Sequence, residues 1–490
     1  MLKTVNAMFE KQVQETPENI ALIFNGKPVT YSELNAMANK LAHYFVSEGV
    51  GPETLVGMVV KHSPAMFACI LAIHKAGGGY IPAEPSFPQE RIRFIMNEAK
   101  VKLVFTEREF ANIFDSSTKL AFTDMDLEKY PSTNLTPTNN AENLAYILFT
   151  SGTTGVPKGV MVEQGNVCHY VQAFTDYFEL SSNDKMLQYS VCTFDIFTEE
   201  VFPILLCGGT LVIANEDETA NVDCLVKLLH EQSVTILSGF PYLLQELNSK
   251  TLPSSLRIAI SGGDVLRKEF VTNIVPKVPV YNTYGPTETT VCASYYCYTG
   301  EDHPTHSVPI GKPIKGVEIL ILDENLNKVA PGEVGEICIV GDGVSRGYLN
   351  NENHTKELFV TNPYNPNQRM YLSGDLGKLL ENGNIHFLKR KDDQVMIVGK
   401  RVEPLEVEHV IYKCPDVKSV LVRPYLDADG YHYLIGYLIL NNPIDIKDLK
   451  GMMSQFVPPF MIPEFFVELK AFPLTPNGKV DNAQLPVVMK

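Results

Sequence analysis

Between about residue 50 and residue 390, short runs of branched apolar side chains alternate with stretches whose apolar residues recur at helical spacing. Val101–Phe105, Thr210–Ile213, Val234–Leu237 and Leu256–Ile260 read as buried strands. Residues 88–99, 221–232, 241–248 and 264–273 read as helices. A strand apolar on both faces needs cover on both faces, and a chain that alternates strand and helix supplies it. This part of the chain is therefore restricted to mostly parallel sheets covered by helices. Ahead of it, residues 30–48 make a capped amphipathic helix. Thr30 and Glu33 have capping-box spacing, and Leu34, Ala38, Leu41 and Phe45 share a face. Residues 107–141 are more polar and aperiodic and read as a surface excursion.

The pattern changes near residue 390. Residues 384–388 and 394–398 read as a short hairpin, 417–424 and 431–440 as longer strands, 446–456 as a helix, and 464–469 as another strand. Strands next to strands point to a small α+β unit. The charged run Lys389-Arg390-Lys391-Asp392-Asp393 is either a solvated turn or a hinge; with a hinge there, two domains are expected, 1–391 and 392–490.

Composition narrows the classes. At 490 residues, 45% hydrophobic and 20% charged, the chain is neither disordered nor a disulfide miniprotein. A formal net charge of −16 argues against nucleic acid or an anionic membrane as the main partner. The nine cysteines are scattered, with no histidine at zinc-finger spacing near Cys292 and Cys297, as in a cytoplasmic protein with reduced thiols. The N-terminal stretch lacks the apolar core of a signal peptide. No apolar run approaches the ~18 residues of a membrane span.

Residues 144–159, LAYILFTSGTTGVPKG, run from an apolar strand into a loop of small and hydroxylated residues ending at Lys158. Small residues let backbone N–H groups approach phosphate oxygens, hydroxyls add donors, and a lysine adds charge. The spacing of Gly152, Gly155 and Lys158 is not that of a Walker A loop, and Gly159-Val160-Met161-Val162 continues as a strand.

Further along stand KAGGGYIPAEP (75–85), YNTYGPTETT (281–290), GEICIVGDGVSRGYL (335–349), YLSGDL (371–376), VPPFMIP (457–463) and PNGKVD (476–481). With these in order from end to end, the chain resembles the adenylate-forming superfamily. Within it, the likeness is to the amino-acid adenylation domains of nonribosomal peptide synthetases. The resemblance implies a large N-terminal domain of mostly parallel, helix-covered sheets with a distorted barrel subdomain, and a small α+β C-terminal lid. It implies that ATP and an amino acid give aminoacyl-AMP and pyrophosphate, and that the acyl group then passes to the phosphopantetheine thiol of a carrier protein. Both reacting groups are anionic, so such catalysis is mostly positioning and charge neutralisation, to which Mg²⁺ and a lysine are suited.

By the same resemblance, Thr150, Ser151, Gly152, Thr153, Thr154 and Lys158 hold phosphates. Tyr284 stacks on adenine and Asn282 bonds its edge, within a loop that includes Thr283, Gly285 and Thr287. Glu288 coordinates Mg²⁺. Asp375 accepts the ribose hydroxyls, and Arg390 lies near ribose and phosphates. Asp392 is the hinge, and Lys479 is the catalytic lysine carried in by the lid. Leu372, Met396 and Asn482 stand where the family usually has basic residues, which bears on efficiency more than on activity.

Asp195 matches the family's aspartate for a substrate α-ammonium, which aryl- and fatty-acid relatives lack. The resemblance places Ile196, Glu199, Ser238, Ile260, Gly262, Thr283, Val291 and Cys292 around the substrate, with Lys479 closing the set. A carboxylate in a largely apolar pocket calls for a cation. Glu199 therefore points to a basic side chain, L-lysine ahead of ornithine and arginine. The alternatives are that Glu200 faces inward instead, or that Glu199 pairs with a cation of the protein. An acyl- or aryl-CoA synthetase of the same fold is the competing activity. The chain is expected to be either a stand-alone enzyme or a segment of a larger synthetase.

Overall fold

The expected strands assemble into two large sheets. In the nine-stranded sheet, Ile20–Phe24, Thr210–Ile213, Lys185–Gln188, Ile236–Gly239, Ile258–Ser261 and Val280–Tyr284 run parallel as neighbours in that order, and antiparallel strands close both edges. In the seven-stranded sheet, Lys119–Phe122, Leu103–Thr106, Leu55–Val59, Gly79–Pro82 and Leu144–Thr150 are parallel. The computed structural model describes residues 3–152, 155–301, 307–397, 399–427, 430–473 and 480–489. The chain divides into two units. One comprises residues 1–85, 96–148 and 159–389; the other comprises 86–95, 149–158 and 390–490.

In the first unit, the helix Tyr31–Ser47 starts at the expected capping box. Glu33 N donates to Thr30 Oγ1 at 3.2 Å, and Thr30 N donates to Glu33 Oε2 at 2.8 Å. Such a cap contributes about 1 kcal/mol. Leu34, Ala38, Leu41 and Phe45 are all buried, in one apolar cluster with side chains of both large sheets. The helix Ile196–Leu206 runs through that cluster with all eleven residues buried, and Phe197 stacks on Phe67 at 5.9 Å between ring centres. A helix sealed on every side tolerates carboxylates only if something satisfies them, and this one carries two. Where the barrel subdomain is expected, Val317–Leu322, Gly335–Gly341, Arg369–Leu379, Phe359–Thr361 and Ile385–Arg390 form an antiparallel sheet.

The second unit is the expected α+β arrangement. Val417–Leu426 and His432–Leu440 pair antiparallel, and Phe465–Glu468 adds in parallel. The helices Pro404–Ile411 and Ile446–Met453 bury Val407, Ile411, Leu449 and Met453 against Val422 and Leu434.

Three local expectations need correction. Residues 264–273 form only a single tight turn, Lys268–Val271. Arg267 makes an extended bridge to Ser307, which forbids helical backbone there. The hairpin proposed between 384–388 and 394–398 does not form: Ile385–Arg390 pairs with Arg369–Leu379, and Val395–Ile397 turns back onto Lys400–Val402 through Gly399, whose φ is +72°. The polar excursion 107–141 contains an edge strand, Lys119–Phe122, too short and too exposed to show a period. Among the described residues no helix is long and apolar enough to cross a membrane. All nine cysteines are free thiols, and Cys69, Cys168, Cys192, Cys292 and Cys338 are buried.

Candidate active site

In a parallel sheet the carboxyl ends of the strands face one way, and a crevice opens where the chain reverses its direction of strand addition. After Lys185–Gln188 the chain adds Thr210–Ile213 on one side and Ile236–Gly239 on the other. The helix Ile196–Leu206 follows Lys185–Gln188 directly, so its first turn and Ser238 belong to that switch point. Ile260, Gly262, Asn282, Thr283 and Tyr284 come from the ends of the next two strands. Fold topology alone thus gathers residues spread over nearly a hundred positions.

The adjacent glutamates of this helix face different surroundings. Glu200 is bound into the main chain beside it: Tyr189 N, Ser190 N, Ser190 Oγ and Gln188 Nε2 donate to its carboxylate at 2.8 to 3.2 Å. Glu199 meets residues of the expected pocket. Ser238 Oγ donates to its Oε1 at 2.5 Å, Cys292 Sγ lies 3.7 Å from Oε2, and the Tyr170 hydroxyl donates to Oε2. Burial pushes the Glu199 carboxyl above its ordinary range, and the charge of Asp195 adds to that, against the hydrogen bonds of Ser238 and Tyr170. Among the described residues no cation is one of the main groups acting on it.

Asp195 precedes the same helix. Burial lifts its carboxyl to about 6; Thr287 donates to it, and the Glu288 charge raises it further. Again no cation is among these groups. Glu288 itself is completely buried and accepts from the Tyr348 hydroxyl at 2.7 Å. A Mg²⁺ carried largely by nucleotide phosphates needs only one or two carboxylates. Glu288 fits that donor set. Among the described residues no cluster of three or more His, Cys, Asp or Glu could hold a metal alone.

Gly262 keeps space beside Ile196 and Thr283, since a Cβ there would stand 2.7 Å from Thr283 Oγ1. Gly285 admits no side chain, because a Cβ would meet Cys292 Cα at 2.5 Å. Thr290 and Val291 hold φ of +61° and +72°, which β-branched residues rarely adopt. Backbone of this kind persists only where its surroundings over-determine it, and here Thr290 Oγ1 donates to Gly343 O at 2.8 Å. Tyr284 donates through its hydroxyl to Asp375 Oδ2 at 2.6 Å. Asn282 Nδ2 donates to the Val308 and Pro309 carbonyls at 3.1 and 2.8 Å.

Thr150, Ser151, Gly152, Lys158, Arg390 and Asp392 lie in the second unit. Ser151 Oγ donates to Arg401 O at 3.0 Å, and the Lys158 charge acts on Glu403. Thr150 Oγ1 is buried without a hydrogen-bond partner among the described residues. A Cβ on Gly152 would lie 1.8 Å from Val156 O, so the turn requires glycine. Arg390 forks onto Asp392, Nε to Oδ1 at 2.8 Å and a terminal nitrogen to Oδ2 at 2.7 Å. Burial is the largest single influence and raises the Asp392 carboxyl, but the Arg390 fork, the Gln394 N–H and the Arg401 charge together bring the net shift downward. Thr153, Thr154 and Lys479 lie outside the described residues.

Two residues touching the expected site escaped the sequence. Tyr348 lies in the quoted 335–349 motif, but nothing in its spacing tied it to Glu288. Tyr170 gave no signal beyond being one aromatic residue in an amphipathic helix.

The AMP-binding enzyme family profile matches residues 9–349, and the profile of the AMP-binding enzyme C-terminal domain matches 406–479. Bacitracin synthase 2 of Bacillus licheniformis is 40% identical over 99% of this chain, which spans 18% of that protein's length. An artificially fused adenylation–PCP di-domain from Klebsiella oxytoca superposes with a TM-score of 0.87 at 24% identity, covering 95% of this chain and 94% of that one. An o-succinylbenzoate CoA synthetase from Bacillus subtilis does so at 0.89 and 23%, covering 98% of each. These two structures show the shared fold. The chain belongs to the AMP-binding enzymes, a family of adenylate-forming ligases, and within it resembles the amino-acid adenylation domains of nonribosomal peptide synthetases.

Proposed function

We propose that this chain activates a cationic α-amino acid, L-lysine ahead of ornithine and arginine, and passes it to a carrier protein. The observation that carries this is the pair of buried carboxylates, Asp195 and Glu199, with no cation among the described residues in the main influences on either. A buried anion without a counter-ion is costly. An amino acid with an α-ammonium and a second ammonium on an unbranched chain supplies both counter-ions at once. The Glu200 alternative is disfavoured because its carboxylate is engaged by residues 188–190.

In the proposed reaction a carboxylate oxygen of the amino acid bonds to the α-phosphorus of ATP, and the bond to the pyrophosphate leaving group breaks. A phosphopantetheine thiolate then takes the acyl carbon, and AMP leaves. Tyr284 and Asp375 would receive adenine and ribose, with Asn282 Oδ1 toward the base. Thr150, Ser151, Gly152, Thr153, Thr154 and Lys158 would hold phosphates, with Arg390 near them. Mg²⁺, held by Glu288, would supply charge neutralisation at the phosphate oxygens. Lys479 would stand between the substrate carboxylate and the reacting phosphate. The part 392–490, hinged at Asp392, would carry that lysine in and out.

Amino-acid-dependent ATP–pyrophosphate exchange across a substrate panel tests this. Exchange with lysine well above neutral amino acids is expected. Exchange with only aryl or fatty acids would establish the CoA-synthetase alternative, and no exchange by folded protein would overturn catalysis altogether. Lys479→Ala is expected to abolish exchange while ATP still binds.

A further inference from the structure

The carboxylate of Glu199 is held by three neutral groups from three parts of the chain. Ser238 Oγ, on the strand Ile236–Gly239, donates to Oε1 at 2.5 Å. Cys292 Sγ, after the turn Thr287–Thr289, is 3.7 Å from Oε2. The third is the hydroxyl of Tyr170, a buried residue of the helix Gln164–Phe178, which donates to Oε2. None of the residues expected to line the pocket lies on that helix.

We propose that Tyr170 is a specificity-determining positioning residue, whose hydroxyl aims and holds the Glu199 carboxylate for a substrate cation. The inference rests on the cationic substrate proposed above. Neutral donors are what such a site needs. They favour the ionised carboxylate without cancelling its charge, so the charge remains for the ligand. A lysine or arginine in place of Tyr170 would cancel it. A hydrogen-bonded buried carboxylate cannot swing away from its partners without leaving them unsatisfied, which fixes both its rotamer and its distance from the incoming cation. Burial and the neighbouring Glu199 charge raise the Tyr170 phenol, so it stays a donor.

A role in packing alone is separable from this. The Tyr170 ring packs 6.0 Å from that of Phe174, and Tyr170→Phe keeps the ring while removing only the hydroxyl. In ATP–pyrophosphate exchange, Tyr170→Phe is expected to raise the KM for lysine roughly 10- to 100-fold, the range for losing a hydrogen bond to a charged group. Its kcat should stay within about twofold, and the KM for norleucine, a neutral amino acid with the same four-carbon chain but no ammonium, should be unchanged, so that preference for lysine over norleucine collapses. In a Glu199→Gln background the same change should add little. A Tyr170→Phe enzyme with the wild-type KM for lysine and the wild-type preference overturns the assignment of Tyr170 alone. Wild-type protein without any preference for cationic amino acids overturns the pocket proposal on which it rests. If the Phe variant does not fold, 3-fluorotyrosine placed at 170 keeps ring and hydroxyl but makes a stronger donor; an unchanged KM for lysine then overturns the proposal.

Discussion

Tyr284 donates its hydroxyl to Asp375 Oδ2 at 2.6 Å, so the residues expected to receive adenine and ribose hold each other in place. A carboxylate only accepts, and one fixed by a tyrosine presents its remaining acceptor capacity in a set direction. Tyr284→Phe keeps the ring but removes this bond to Asp375. Exchange measured against ATP concentration is expected to show a KM for ATP raised about tenfold, corresponding to about 1.5 kcal/mol for a lost hydrogen bond to a charged group. The KM for the amino acid should not change.

The neighbouring glutamates give opposite outcomes. Glu199→Gln should lower kcat/KM for lysine at least about 100-fold, as expected when one partner of a buried ion pair is removed, with a melting temperature equal to or above wild type. Glu200→Ala should instead cost about 3 kcal/mol of stability, because buried donors at residues 188–190 lose their acceptor. Its preference among amino acids should survive. Thermal melts and the substrate panel, run on both variants, separate the two roles.

The raised carboxyl of Asp195 predicts a pH dependence of binding. Its value in the folded chain is about 6, against an ordinary 3.8. Below about pH 6 the group holds a proton and cannot pair with an α-ammonium, so the KM for the amino acid should rise about tenfold per unit of falling pH. Stability without substrate runs the other way. The folded chain holds this proton more tightly than the unfolded one, so the contribution is full below about pH 4 and is lost as pH rises through 6. Glu288 and Glu199 are the acidic neighbours in this electrostatic set. Asp195→Asn should flatten both profiles, read as KM against pH and as melting temperature against pH.

Within the second unit, Arg91 and Glu406 form a buried ion pair at 2.7 Å, with Arg91 Nε and Glu406 Oε2 both lacking hydrogen-bond partners among the described residues. A pair with only one of its contacts made repays its desolvation poorly. Replacing Glu406 alone by Ala should cost about 3 kcal/mol, whereas Arg91→Met with Glu406→Leu should be close to neutral. In a cycle of Glu406→Leu, Arg91→Met and the double variant, read by denaturant unfolding, single costs of about 3 kcal/mol each against a near-neutral double give a coupling of about 6 kcal/mol; independent, additive costs would contradict it.

Much of the scaffold was legible because local chemistry carried it. The Thr30–Glu33 cap, the apolar face from Leu34 to Phe45 and the apolar strands Thr210–Ile213 and Ile258–Ser261 are decided by near neighbours in sequence. The segment 264–273 misled for the opposite reason: its helical spacing yields to one long-range bridge between Arg267 and Ser307. The turn at Gly399 likewise redirected Val395–Ile397 away from its presumed partner.

Sequence determined which residue types the site would have, through ordered motifs whose glycines, hydroxyls and carboxylates suit phosphate and ammonium chemistry. It could not decide what each carboxylate would face. Glu199 and Glu200 differ by one step of about 100° around a helix that is buried on every side, so both read alike until the neighbours are known. Strand order brought Ser238 to one oxygen of Glu199, and the packing of the helix Gln164–Phe178 brought Tyr170 to the other. Those contacts join residues 29 and 39 positions apart in the chain. Only the closed core creates that proximity, because burial fixes the direction in which a charge must find its partner.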